Sequence, residues 1–118
     1  MGKTLFILND PPYGTERSYN ALRLALNLLA MSEGMSVTLF LMGDAVACAK
    51  AGQQTPNGYY NLERMLKSVA ARKGQTLLCG TCMDARGLKD EEIAQGARRS
   101  TLDELTELTA GADKVLVF

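Results

Sequence analysis

The sequence contains no histidine and no tryptophan, and these absences remove whole classes of function. Without histidine the chain cannot form a Cys–His dyad, a Ser–His–Asp triad or an imidazole metal site. Four tyrosines and three phenylalanines are too few for a surface that stacks nucleic-acid bases. Basic and acidic residues number 13 each, so no net charge attracts a nucleic acid or an anionic membrane. We therefore expect no nucleic-acid partner.

Long apolar runs and a leader segment are also missing. No run approaches the roughly 20 residues of a membrane-spanning helix. The first residues, Met1-Gly2-Lys3, lead directly into a strand-like segment rather than a signal peptide. With 118 residues, 47% of them hydrophobic, the chain has the size and balance of one globular domain. The prediction is a single cytoplasmic domain, residues 1–118, that does not contact a membrane.

Short apolar runs alternate with helical patterns. The runs are continuous, which is typical of strands covered on both faces of a parallel sheet; they are 5–8, 37–42, 76–79 and 115–118. Strands separated by helices predict right-handed βαβ crossovers. The expected fold is an α/β, three-layer α/β/α sandwich with a mostly parallel sheet of four to five strands. The optional fifth strand is 97–100, and Ile93 with Ala94 suggests a helix before it.

Capping residues set the expected helix ends. Thr15 is the predicted N-cap of a first helix that stops near Gly34. A second amphipathic pattern over 62–70 is closed by Gly74, and Thr101-x-x-Glu104 has the form of a capping box for a third helix.

Three segments follow the carboxyl ends of predicted strands, where α/β sheets place their ligand or reaction sites. These segments are 9–14, 42–44 and 79–82. Residues 43–60 leave from the same edge; we expect a short helix over 44–51, stopped by Gly52, and then a loop over 53–58. An excursion of this length is typical of a site cover or an interface.

Three cysteines in a chain without a signal peptide indicate reduced thiols. Cys79 and Cys82 form a CxxC motif at the end of a strand, where the N–H groups of a helix start stabilise a thiolate and lower the thiol pKa. Arg86 adds positive charge if the segment is helical. The alternative is that both cysteines are small apolar fillers. Cys48, within an alanine-rich helix, is predicted to be packing.

Several chemistries compete for the CxxC motif. A zinc site lacks a fourth ligand, and a thioredoxin-type motif usually follows the first strand rather than the third. A flavin mononucleotide or phosphate site needs a Ser/Thr/Gly-rich loop after the first strand, which 9–14 does not provide. A phosphoacceptor site needs an acidic cluster at the strand ends. A cysteine that carries sulfur as a persulfide needs only an activated thiolate, a sheltered pocket and a partner. No metal or cofactor is expected.

The sequence resembles the DsrE/DsrF-like sulfur-relay family, and most closely its small YchN-type members. The similarity covers nearly the whole chain, and its most specific stretch is Cys79-Gly80-Thr81-Cys82-Met83-Asp84-Ala85-Arg86-Gly87. The resemblance implies a flavodoxin-like sandwich that assembles into a homo-oligomer, commonly a trimer or hexamer. It also implies that Cys79, with Arg86-Gly87, accepts persulfide sulfur from a protein donor and passes it to a protein acceptor.

We therefore predict a sulfur-handling site in which Cys79 is the nucleophile and Cys82 a resolving or modulating thiol. Backbone amides around Gly80 to Met83 are expected to supply the electrostatic activation, with Gly80 and Thr81 in the site. Asn9, Tyr13 and Asp44 are expected to line the pocket, with Arg86 nearby. Two alternatives stay open: CxxC thiol–disulfide exchange, and a non-catalytic oligomeric binding or assembly module. The sequence does not decide whether the protein has enzymatic turnover of its own.

Overall fold

The fold is a parallel five-stranded sheet with helices on both faces, seen in a computed structural model that describes residues 2–56 and 60–118. The strands are β1 (Lys3–Leu8), β2 (Ser36–Leu41), β3 (Gln75–Cys79), β4 (Ala97–Ser100) and β5 (Lys114–Val117). They lie in the order β4-β3-β2-β1-β5, and every neighbouring pair is parallel. The predicted three-layer sandwich is confirmed, with 97–100 as its fifth strand.

The helices connect consecutive strands. They are α1 (Arg17–Met31), α2 (Leu62–Ala71), α3 (Gly80–Ala85) and α4 (Leu102–Gly111), and short 3-10 helices cover Gly43–Ala49 and Asp90–Glu92. No helix in the described part of the chain is long and apolar enough to cross a membrane.

The strand order explains why the two faces of the sheet differ. Strands β1 to β4 step across the sheet in one direction, and β5 returns to the far side of β1. Right-handed crossovers therefore put the β1–β4 connections on one face and α4 on the other. The first face carries the large core, which includes Phe6 and Leu22. The α4 face carries a small buried cluster: Leu5, Phe40, Leu77 and Leu105.

Two predicted helices are wrong in detail because one β-bridge fixes both segments. Ile93 pairs with Lys50 in an isolated antiparallel bridge, and the Ala94 N–H donates to the carbonyl of Ala49 at 2.7 Å. Ile93 and Ala94 therefore adopt an extended rather than helical form. The helix predicted over 44–51 is a 3-10 helix that ends at Ala49 for the same reason. Part of the predicted 53–58 loop, residues 57 and 58, lies outside the described residues.

The helix starts follow the prediction only in part. Thr15 precedes α1 by two residues, and its hydroxyl accepts from the N–H of Arg17 at 3.0 Å, while Glu16 occupies the N-cap position. The Thr101 hydroxyl caps α4 by accepting from the Glu104 N–H at 3.1 Å. The Glu104 carboxylate completes no capping box, because Arg98 attracts it as an ion partner at 2.8 Å.

Gly74 is required by close packing after α2. The left-handed turn that ends this helix falls on Lys73, with φ 68°, rather than on Gly74. A Cβ atom at Gly74 would lie 2.5 Å from Cγ1 of Val69 and 3.1 Å from Cδ1 of Leu29. Val69 is fully buried, so its side chain cannot move away into solvent.

We expect Gly74→Ala to lower the free energy of unfolding by about 1–3 kcal/mol through overpacking, measured by urea denaturation. Gly111→Ala is the matched control, since no atom lies within 4 Å of its Cβ position; its effect should stay within about 0.5 kcal/mol. Equal losses in the two variants would contradict the tight contact at Gly74.

Candidate functional site

Cys79 is both the last residue of β3 and the N-cap of α3. The strand passes into the helix without a loop, so the Cys79 side chain folds over the first helical turn. Its Sγ atom accepts a hydrogen bond from the backbone N–H of Cys82 at 3.4 Å and lies 3.2 Å from Oγ1 of Thr81. A helix start normally receives an oxygen acceptor at this position. Here the acceptor is a sulfur, which accepts more strongly when it is ionised.

The hydrogen bonds at Cys79 favour its thiolate. Partial burial raises the pKa of the Cys79 thiol, but hydrogen bonds from the Cys82 thiol, the Thr81 hydroxyl and the N–H groups of both residues lower it, and the net pKa falls below the ordinary value. The side chain is only partly buried. A partly exposed thiol with a lowered pKa is the reactive form of cysteine.

Cys82 has the opposite tendency. Burial and the neighbouring Cys79 raise the pKa of the Cys82 thiol, while the Gly43 N–H and the charge of Arg86 oppose that rise. The two environments therefore separate the thiols, and Cys79 ionises before Cys82. This division fits Cys79 as the nucleophile.

Arg86 ties α3 to the end of β2. Its Nη1 donates to the carbonyl of Cys82 at 3.0 Å, and its Nη2 lies 2.9 Å from Oδ1 of Asp44. Gly43 directly precedes Asp44 and has a φ of +54°. A Cβ atom on Gly43 would lie 3.8 Å from the carbonyl oxygen of Asn9. The Asn9 side chain itself points elsewhere, donating to the carbonyl of Phe118 at 3.2 Å.

Gly80 and Arg99 lock the helix start against β4. Gly80 is buried, and a Cβ there would lie 3.0 Å from Nη1 of Arg99 and 3.1 Å from the carbonyl oxygen of Ser100. Arg99 Nη1 donates to the Gly80 carbonyl at 3.0 Å and pairs with Asp84 at 3.0 Å. Sequence reasoning missed Arg99, because only the register of β4 against β3 brings it to Gly80.

Tyr13 belongs to a different set of contacts. Its hydroxyl donates to the side-chain carbonyl of Gln53 and accepts from the Leu62 N–H at 3.4 Å. Its ring lines a cavity of about 580 Å³ together with Pro12, Gly14, Thr15, Glu16, Thr55, Pro56 and Tyr60. In the described contacts nothing links Tyr13 to Cys79 or Cys82.

Cys48 is packing, as predicted. It is fully buried in the large core, and burial raises the pKa of its thiol to about 12. Across residues 2–56 and 60–118, no three Cys, Asp or Glu side chains are grouped so that they could hold a metal ion.

Cys79 belongs to an apolar strip on the α4 face of the sheet. Ile7, Met42 and Cys79 are partly exposed and pack against the small cluster. Val117 pairs with Ile7 at the sheet edge and is 66% exposed. We call Ile7, Met42, Cys79 and Val117 the α4-side strip. Sequence reasoning did not find it, because strand register decides which residues share a face.

We expect Thr81→Val to raise the pKa of Cys79 and to slow its alkylation at neutral pH several-fold, because one hydrogen bond to the thiolate is lost. Thr81 is exposed, so valine leaves the packing unchanged. Thr81→Ser keeps the hydroxyl and should behave like the parent chain. The measurement is the alkylation rate against pH, with the modified residue located by peptide mass. Identical profiles for the valine and serine variants would rule out activation by Thr81.

Comparison with known proteins places this geometry in a family. The DsrE/DsrF-like family model matches residues 2–118. Protein YchN of Escherichia coli K12 is 40% identical over 118 residues and aligned over all of both chains. The uncharacterized protein MJ0989 of Methanocaldococcus jannaschii is 37% identical over 116 residues, which is 98% of this chain and 99% of that protein.

Solved structures of other proteins share this fold. The crystal structure of E. coli YchN superposes with a TM-score of 0.95 at 40% identity and covers 100% of both chains. MTH1491 from Methanobacterium thermoautotrophicum, a protein of unknown function, has a TM-score of 0.76 at 14% identity over 97% of each chain and shows the shared fold alone. The chain belongs to the DsrE/DsrF-like family.

Proposed function

We propose that the protein is a sulfur carrier in which Cys79 accepts persulfide sulfur from a protein donor and passes it to a protein acceptor. The observation that carries this proposal is the partly exposed Cys79 Sγ, held by the Thr81 hydroxyl and the Cys82 N–H at the end of β3. Membership of the DsrE/DsrF-like family supports a role in sulfur relay in general.

The transfer is a nucleophilic displacement. The Cys79 thiolate attacks the outer sulfur of the donor persulfide, an S–S bond forms at Cys79, and the donor leaves as a thiolate. In the second step the acceptor thiolate attacks the outer sulfur on Cys79, and Cys79 leaves as a thiolate. The donors at Thr81 and Cys82 stabilise that leaving group. No electrons are gained or lost overall, and no cofactor is needed.

The remaining predicted residues support Cys79 to different degrees. Asp44 acts through Arg86, which holds the Cys82 carbonyl, and Asn9 contributes its backbone beside Gly43. Tyr13 is not part of the proposed carrier site, because its contacts belong to the neighbouring cavity.

Thiol–disulfide exchange is a second candidate, favoured by the position of both cysteines in the first turn of α3, where the Cys82 N–H donates to the Cys79 sulfur at 3.4 Å. It requires a Cys79–Cys82 disulfide that forms with an ordinary disulfide oxidant and no sulfur donor. A non-catalytic assembly module requires instead that Cys79 be no more reactive than a free cysteine.

We expect the Cys82→Ser chain to gain one sulfur atom from glutathione persulfide, and a reductant to remove it. Using this background keeps the second thiol from interfering. Adding Cys79→Ser should abolish the gain, while adding Cys48→Ala should leave it intact. Intact mass spectrometry under argon measures the result. No gain, or an equal gain without Cys79, would contradict the carrier role.

We also propose that the protein is a homo-oligomer, a trimer or hexamer, whose contacts cover the α4-side strip. Val117 is 66% exposed at the sheet edge, and Ile7 and Met42, on the same face of the sheet as Cys79, are only partly buried. Covering apolar surface of this kind stabilises association.

A charge on the strip should disrupt assembly. We expect Val117→Lys to shift the sedimentation coefficient toward the monomer. Met31→Lys is the matched control, since Met31 is 77% exposed but lies at the end of α1, away from the strip. A monomeric parent chain, or equal effects of the two substitutions, would argue against this interface.

A further inference from the structure

We infer that the protein reduces the sulfur carried on Cys79 and releases it as hydrogen sulfide, with Cys82 as the attacking thiol. This inference rests on the proposed function, because it begins with a persulfide on Cys79. The attack falls on the inner sulfur, Sγ of Cys79, rather than on the outer sulfur that a protein acceptor would take.

The geometry of α3 places the second thiol beside the inner sulfur. The capping hydrogen bond draws Cys79 Sγ to 3.4 Å from the backbone nitrogen of Cys82. The two thiols are close enough for each to shift the pKa of the other. An attack by Cys82 therefore takes place within one helical turn, and no other thiol of the chain is available, since Cys48 is fully buried.

Two groups near Cys82 favour a negative charge on its sulfur atom. Burial raises the pKa of Cys82, and the neighbouring Cys79 thiolate raises it as well. The Gly43 N–H and the positive charge of Arg86, whose Nη1 donates to the Cys82 carbonyl at 3.0 Å, both lower it. Loading Cys79 with sulfur moves the negative charge from Sγ to the outer sulfur. The opposition to Cys82 ionisation then weakens, and the two supporting groups remain.

The step is balanced in atoms and electrons. Cys79–S–SH and Cys82–SH yield the Cys79–Cys82 disulfide and H₂S; the Cys82 proton and the proton of the outer sulfur leave with the sulfide. The Cys82 sulfur supplies the electron pair of the new S–S bond and is oxidised, while the pair of the bond that breaks leaves with the outer sulfur, which is reduced to sulfide. A dithiol reductant must then cleave the disulfide and return both thiols for another cycle.

The test uses the full-length chain and the Cys82→Ser and Cys82→Ala variants, treated with one equivalent of glutathione persulfide under argon without reductant. Released sulfide is trapped as a bimane adduct, and the protein is weighed intact. We expect the parent chain to release close to one sulfide per chain and to lose the mass of two hydrogens as its disulfide forms. Both variants should keep the added sulfur and release at least tenfold less sulfide. Cys48→Ala should release as much as the parent.

The outcomes separate this inference from the proposed function. If the parent chain and the Cys82 variants hold the added sulfur equally well, sulfide release is overturned and the carrier role stands. If all of them release sulfide equally, Cys82 is not the attacking group and the inference is again overturned. If no chain gains sulfur or releases sulfide, both the inference and the carrier role fail. Using serine and alanine at position 82 guards against misfolding of either variant.

Discussion

The site depends on one hydrogen bond, from the backbone N–H of Cys82 to the sulfur of Cys79. It exists because β3 passes directly into α3, so that one residue ends the strand and caps the helix. That junction is possible only because Gly80 has no side chain where β4 approaches, and because Arg99 satisfies the Gly80 carbonyl. The chemistry at Cys79 is therefore a consequence of how two strands and a short helix pack.

The position of a cysteine in the layers decides what it can do. Cys48 lies within the large core, where burial disfavours the thiolate so strongly that its pKa rises to about 12. Cys79 lies at the rim of the α4 face, which one helix covers incompletely. Here burial is slight enough for a few hydrogen bonds to outweigh it. The thin layer over this face follows from the reversal in strand order that sends α4 alone to that side.

Much of the fold could be predicted from local sequence. Continuous apolar runs located the strands, since both faces of a parallel sheet are buried. The CxxC motif after the third strand located the thiols. What failed were features set by contacts between elements: the Ile93–Lys50 bridge that keeps 93–94 from forming a helix, and the ion pair by which Arg98 in β4 draws Glu104 away from its capping box.

The finer parts of the site were also out of reach of sequence reasoning, for the same reason. Arg99 meets Gly80, and Val117 joins the face of Cys79, only through strand register. Periodicity reports that a residue lies in a strand, but not which residue stands beside it. The family resemblance identified Cys79 and Arg86, yet the contacts that make one thiol ionise before the other are visible only in three dimensions.

The Cys79 sulfur ionises more readily than an ordinary thiol and is open to reagents. A pH titration of thiolate ultraviolet absorbance tests this, taken as the difference between Cys82→Ser and the Cys79→Ala/Cys82→Ser double variant, so that no shift in the Cys82 pKa enters the difference. We expect a single absorbance step whose midpoint lies below the pKa of free cysteine measured in the same buffer. A step at or above the free-cysteine midpoint would contradict it.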